Sequence, residues 1–423
     1  MSLCPPTAND PGLLSLNASC YCAHIDSQVV SDQIRQSLPP DFDTSQLESL
    51  IAETTVFLAK SDFVQMQGQI AAIERIAGLD SYRRLVAQRT PFAWVPGLNT
   101  RGLFTGYDFH ISADGPRLIE INTNAGGAFV VHALLAALDA EQNGSYPGLA
   151  DPNQVIEWVV SSFRQEWSRA TGDAKRLRRV AIVDDNPEGE FLYLDMQLAQ
   201  QRLREHGIEA LIVDPRHLSL DGDQLYAAGQ PIDLVYNRLT DFSLSQAGHE
   251  VLRQAHESGA AVVSPAPEHH ALLADKRNLV TLTDTGALNE LGVSAADIDA
   301  LANVPNTVAV TPANAQALWA RRRQLFFKPA CGYGSKATYR GAKITQRVWR
   351  EIETGEYVAQ ELSLPGERQV PTEKASVLKY DVRVFSYAAQ SMLLAARLYR
   401  GQTTNFRTEE GGFAPVIVVD TAD

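Results

Sequence analysis

Between residues 178 and 264 short apolar runs alternate with amphipathic stretches, and this alternation restricts the fold more than any other feature of the chain. Arg179-Val180-Ala181-Ile182-Val183-Asp184 and residues 210–213, 233–238 and 260–264 read as buried-type strands. Residues 192–206 and 249–258 show helical spacing between them. Parallel strands need long crossovers, commonly helices, so the pattern predicts an α/β unit with a parallel sheet. The first turn, 184–190, lacks Gly-x-Gly-x-x-Gly, which argues against a Rossmann dinucleotide site. Arg238 falls at the carboxyl end of a strand, where open α/β sheets gather ligand-binding residues. It is a candidate substrate contact, and a surface ion pair accounts for it equally well.

At 423 residues the chain exceeds one ordinary core, and two or three lobes are expected. Residues 1–40, rich in Pro, Ser, Asn and Asp, read as a loosely packed arm. From Thr44 to about Gln88, Leu47, Leu50, Ile51, Val56, Leu58 and Phe63 suggest two or three helices, and 129–142 and 152–170 suggest two more. No apolar run approaches the ~20 residues of a membrane span, and the first 17 residues lack a secretory pattern, so a cytoplasmic location is expected. Four cysteines do not make a disulfide framework; Cys20, Cys22 and His24 lack the second ligand cluster that a zinc site needs. A net charge of −13 argues against a nucleic-acid surface but permits an anionic ligand where cations gather locally. His269 and His270 read as surface residues.

Two strands at 106–111 and 118–122 flank Asp114-Gly115, a strong hairpin signal. Residues i and i+2 of a strand share a face, so Glu120 and Asn122 present oxygens side by side and the hairpin brings Asp108 near Glu120. Two carboxylates and an amide oxygen suit a hard cation such as Mg²⁺. A strand ending in solvent gives the same pattern without a metal. By alternation His110 shares the face of Asp108, as a neighbour of that site or as an ordinary histidine. Further on, Leu325-Phe326-Phe327-Lys328-Pro329 sets a lysine among apolar residues, which seldom happens without an anionic partner. The small-residue loop 330–336, containing Gly332, Gly334, Ser335 and Lys336, can close backbone N–H groups over phosphates, though it lacks Walker spacing and a plain turn looks similar. Residues 357–362 form another strand, followed by Pro365-Gly366-Glu367, and 380–385 alternate as a half-buried strand does. Arg397 and Arg400 fit an edge strand as well as a site.

In succession, Asp275-Lys276, Phe327-Lys328-Pro329, the glycine loop, Gln360-Glu361 with Glu367, Asp381-x-Arg383, Arg397, Asn405, Gly411-Gly412 and Glu120-x-Asn122 resemble the ATP-grasp superfamily over about half of the chain. In that family the metal-binding Glu-x-Asn usually comes last; here it comes first, near residue 120. The order is similar to that of eukaryotic-type glutathione synthetases and glutathionylspermidine synthetases, a circular permutation tolerable when chain ends lie close together. The glycine triad and paired Asn of the eukaryotic glutathione synthetases are missing, so that substrate is not carried over.

The resemblance implies a permuted ATP-grasp fold (α/β, with α+β lobes): an arm (1–40), a helical region carrying the metal-binding strands (41–175), a parallel-sheet pre-ATP-grasp substrate domain (176–270) and ATP-binding lobes (271–423). It implies that Lys276 and Lys328 contact the ATP phosphates, that Gly332, Gly334, Ser335 and Lys336 cover them, that the backbone of Gln360, Glu361 and Leu362 meets adenine, and that Glu367 holds the ribose. Asp108, Glu120 and Asn122 would bind one or two Mg²⁺ ions, with Mn²⁺ able to substitute. Arg397 would offset charge on the γ-phosphate, and Arg383, Asn405, Gly411 and Gly412 would hold the acyl substrate, with Asp381 fixing Arg383. The implied activity is carboxylate–amine ligation through an acyl phosphate, releasing ADP and phosphate, on small partners such as amino acids, short peptides or polyamines. A small-molecule kinase and a non-catalytic nucleotide-binding protein are the alternatives. Oligomeric state is not readable, and a homo-oligomer is compatible. All of this requires the early acidic hairpin to lie beside the late arginine-and-glycine section.

Overall fold

The computed structural model describes residues 16–18, 25–40, 42–141, 148–172, 175–332, 337–370, 376–401, 404, 408 and 410–420. Cys20, Cys22 and His24 lie outside them.

The expected alternation forms a four-stranded parallel sheet. Its strands are β4 (Arg179–Val183), β5 (Glu209–Val213), β9 (Leu234–Asn237) and β10 (Val262–Ser264), in the order β10-β9-β4-β5. All three pairings are parallel, with Val180 opposite Ala210 on one side and Leu234 on the other. Helices Tyr193–Glu205 and Glu250–Ser258 lie between successive strands. Every residue of β9 is buried, as expected of a parallel strand covered on both faces. A small antiparallel meander, β6 (Leu218–Asp221), β7 (Gln224–Ala227) and β8 (Gln230–Ile232), is inserted between β5 and β9.

The larger sheet assembles strands from both ends of the chain. The hairpin β2 (Thr105–Ser112) and β3 (Gly115–Asn122) turns where Ser112 faces Gly115, whose φ of +90° suits glycine. It is joined by β15 (Gly366–Val370), β16 (Ser376–Tyr387), β17 (Gln390–Tyr399) and β18 (Gly412–Ala414). The order is β18-β17-β16-β2-β3, with β15 also on β16, so β2 pairs with a strand more than 270 residues later through Arg383 opposite Asp108. A third sheet, β11-β14-β12-β13, contains β11 (Thr307–Ala309), β12 (Leu325–Pro329), β13 (Tyr339–Arg340) and β14 (Tyr357–Glu361).

An aromatic cluster ties the hairpin to the parallel sheet. Phe104, just before β2, meets Phe129, Phe163 and the β9 residue Tyr236 edge-on, with centroids 5.3 to 5.8 Å apart. Each such pair adds about 1 kcal/mol beyond area burial.

Two expectations from local pattern fail. Val56 and Leu58 belong to a strand, β1 (Val56–Ala59), because β19 (Val416–Val419) offers it a parallel partner from the far end of the chain. The described part of residues 1–40 is not a loose arm: helix Ser27–Ser37, capped by the Asp26 side chain, buries Val30 and Ile34 in the core. That helix packs on helix Ala128–Glu141. Among the described residues no helix is long and apolar enough to cross a membrane.

Candidate active site

A pocket opens between the large sheet and the β11–β14 sheet. Its walls include Glu120 and His110 from the hairpin, Lys276, Lys328 and Gly332 from the middle of the chain, Gln360, Glu361 and Leu362 from β14 and the segment after it, and Arg397 from β17. Residues more than 270 positions apart thus share one cavity. Arg340 and Lys379 add two more cations, so five basic side chains face only two carboxylates in a chain of net charge −13. Such a surface favours an anionic ligand.

The two lysines converge beside a β-bulge. The β2–β3 register shifts between Asp108 and Phe109, which face Glu120 and Leu118, so Ile119 has no opposite residue. The Ile119 carbonyl accepts from Lys328 Nζ at 2.6 Å, and the same ammonium donates to Gln360 Oε1 at 2.9 Å. Lys276, at the N-terminus of helix Arg277–Leu282, places Nζ 3.1 Å from Glu120 Oε1 and donates to the Gly332 carbonyl at 2.9 Å. Burial alone would raise the Glu120 carboxyl, but Lys276 and Lys328 outweigh it and hold the group below the ordinary range. Burial pushes the Lys328 ammonium down to about 8, against the pull of Glu120.

Behind this wall the sheet register builds a second charge network. Asp108, Arg383 and the Asp381–Arg397 pair are cross-strand neighbours. Arg383 donates to Asp108 through Nε at 2.6 Å and Nη2 at 2.8 Å, and Arg397 Nη2 reaches the same carboxylate at 2.7 Å. Arg397 Nε donates to Asp381 Oδ1 at 2.6 Å, and Thr404 Oγ1 donates to Asp381 Oδ2 at 2.6 Å. Burial opposes the charge of Arg397, but Asp108 and Asp381 more than restore it and raise its pKa. His110 Nδ1 donates to the Ser363 carbonyl at 2.9 Å, and burial lowers its pKa.

Several expectations need correction. Asp108 is fully buried, does not line the pocket, and is engaged by two guanidinium groups and by Asn122 Nδ2 at 2.9 Å. The three oxygens expected to converge on a cation therefore do not; Glu120 alone faces the cavity, its side chain 29% exposed. Among the described residues no three His, Cys, Asp or Glu side chains gather as a metal site. The N–H groups of Glu361 and Leu362 already donate to the Asn306 and Gln324 carbonyls at 2.8 Å, so neither is available to a purine. In that stretch the buried Gln360 Nε2 has no partner among the described residues. Glu367 is exposed on β15 and does not line the pocket.

Arg238 points elsewhere, donating to the Asn124 carbonyl at 2.8 Å and lying over the Tyr236 ring at 5.5 Å. Gly412 adopts φ +131° with no room for a Cβ against Leu50, and Gly411 lines a separate acidic cleft. Their glycine character serves backbone packing. Gly334, Ser335, Lys336 and Asn405 lie outside the described residues. His269 and His270, expected at the surface, belong to the interior: His269 is buried, and His270 stacks on Phe242 at 3.6 Å, with burial lowering its pKa to about 3. Lys379 and Arg340 went unnoticed in the sequence. Alternation along β16 puts Lys379 on the face of Asp381 and Arg383, a signal that was present; Arg340 sits on a two-residue strand with no pattern to mark it.

A scan of protein-family models and a search of curated protein sequences each gave no match. Among solved structures, a glutathione synthetase-like effector from Globodera pallida aligns over 93% of this chain and 98% of its own, with TM-score 0.54 and 12% identity. The chain shares the fold of this glutathione synthetase-like effector. A protein assigned as a γ-glutamylcysteine synthetase from Methylobacillus flagellatus KT aligns over 87% of this chain and 89% of its own, with TM-score 0.47 and 11% identity. The ATP-grasp ligase PsnB, complexed with minimal precursor, Mg and ADP, covers 57% of this chain and 76% of its own, with TM-score 0.31 and 16% identity. The pocket described above lies where the large sheet faces the smaller β11–β14 sheet.

Proposed function

We propose that this chain is an ATP-dependent carboxylate–amine ligase on a circularly permuted ATP-grasp scaffold, with residues 176–270 as its pre-ATP-grasp substrate domain. One observation supports the reading most: Glu120, Lys276, Lys328, Gly332 and Arg397, scattered along the chain, line a single cation-rich pocket. Lys276 and Lys328 bind the triphosphate as point charges, exchanging their present bonds to Glu120 and the Gly332 and Ile119 carbonyls for phosphate oxygens. Gln360 Nε2, buried and without a partner among the described residues, donates to the nucleotide.

The carboxylate of the substrate attacks the γ-phosphorus, giving an acyl phosphate and ADP; an amine then displaces phosphate and forms the amide. A carboxylate is a poor electrophile until its oxygen becomes a leaving group, which is why ATP is needed. Arg397, held rigid by Asp108 and Asp381, presents fixed positive charge to the transferring phosphoryl group and to the oxyanion of the tetrahedral intermediate. Glu120 would hold Mg²⁺, which typically takes one or two protein carboxylates and fills its other positions with phosphate oxygens and water. When bound, that ion would neutralise phosphate charge.

The test is ADP release from ATP and Mg²⁺ across amino acids, short peptides and polyamines, with hydroxylamine as trap. A hydroxamate is the expected product. ADP release without hydroxamate would indicate a kinase, and nucleotide binding with no ADP from any pair would indicate a binding protein.

A further inference from the structure

The geometry points to a single divalent cation at this site, held by Glu120, with Arg383 and Arg397 keeping Asp108 from serving a second. The inference rests on the nucleotide reading above and concerns how the pocket balances charge. Asp108 is the carboxylate that a second cation would need, and its oxygens are already engaged. Oδ1 accepts from Arg383 Nε, while Oδ2 accepts from Arg383 Nη2, Arg397 Nη2 and Asn122 Nδ2, all between 2.6 and 2.9 Å.

Asp108, Asp381, Arg383 and Arg397 together are formally neutral, so the cluster has no surplus negative charge to offer a cation. For Asp108 to ligate a metal, the buried Arg383 would have to give up its carboxylate partner and Arg397 one of its two, and both would then face a dication, an arrangement that low-dielectric surroundings disfavour strongly. Asn122 is drawn into the same network by its amide nitrogen. Glu120 differs. It is on the cavity wall, and only Oε1 is engaged, by Lys276; Oε2 has no partner among the described residues. One carboxylate oxygen is enough for one ion whose remaining ligands are phosphate and water.

Counting bound Mn²⁺ by electron paramagnetic resonance tests this, with full-length protein and a stoichiometric amount of the non-hydrolysable analogue AMP-PNP. Calorimetry on the same samples confirms that the nucleotide is bound. The expected count is one Mn²⁺ per nucleotide-bound chain, falling in retention by about tenfold or more for Glu120→Gln. Two Mn²⁺ per chain would overturn the inference and leave the nucleotide reading intact. Absence of AMP-PNP binding would overturn the nucleotide reading itself. Asp108→Asn should still hold one Mn²⁺ if the variant folds, and loss of that ion would identify Asp108 as a ligand; the wild-type count decides the matter where the variant does not fold.

Discussion

Binding of a nucleotide at pH 9 should draw close to one proton onto Lys328. The ordinary value for a lysine is 10.5, and burial brings this one down to about 8, with Glu120 opposing the shift. The displacement corresponds to about 3 kcal/mol by which the empty site disfavours the ammonium. A triphosphate against Nζ supplies the missing counter-charge and returns the group toward its solution value. At pH 7 the lysine of the empty protein is about nine-tenths charged, so binding takes up roughly a tenth of a proton. At pH 9 it is about nine-tenths neutral, so uptake approaches one and affinity drops about fivefold relative to pH 8. Calorimetric titration of AMP-PNP in pairs of buffers with different ionisation heats reads the proton count directly. Lys328→Met should abolish the uptake and flatten the pH dependence. Binding at pH 9 with no proton exchanged would refute the reasoning. The same displacement has a consequence without ligand: the empty protein gains stability as pH rises from about 8 toward 10.5, because the unfolded chain then holds a proton that the folded one has released.

Acid should destabilise the fold well before its carboxylates titrate, since burial lowers His132 to about 4 and His270 to about 3 while both ionise near 6.5 when unfolded. Each then costs about 2 kcal/mol at pH 5, and urea midpoints equal at pH 7 and pH 5 would contradict this. Arg368, fully buried, donates to the Thr55 and Asn17 carbonyls at 2.8 and 3.0 Å, and Arg368→Met should lower stability by about 3 kcal/mol in denaturant titration. Gly127→Ala should cost a similar ~3 kcal/mol, because φ is +97° and a Cβ would lie 2.0 Å from the Phe413 ring; an unshifted melting temperature would count against that packing. Glu120→Gln should remove ADP release while moving the melting temperature little, and turnover at the wild-type rate would exclude Glu120 from the site.

Some of this architecture was readable from local pattern. The strand–helix alternation after residue 178 predicted each strand of the parallel sheet to within two residues, because a buried parallel strand must be apolar whatever lies beside it. Asp114-Gly115 marked its hairpin because the turn's backbone conformation is a local demand. The lysine in Phe327-Lys328-Pro329 signalled an anionic surrounding, and Glu120 lies close enough to shift its ionisation.

Partners distant in sequence decided the rest. The segment 56–59 is a strand only because 416–419 is there to pair with it. Asp108 looked like a metal ligand on its own hairpin and became an anchor for two arginines because β16 and β17 arrive beside it. The sequence alone determined which side chains carry the charge and where the strands and helices of the parallel-sheet unit fall, since those follow from chemistry and spacing along the chain. Tertiary structure decided which charges neutralise one another and which face the cavity, because an ion pair depends on distance in space, and cross-strand register, which no local pattern specifies over 270 residues, sets that distance.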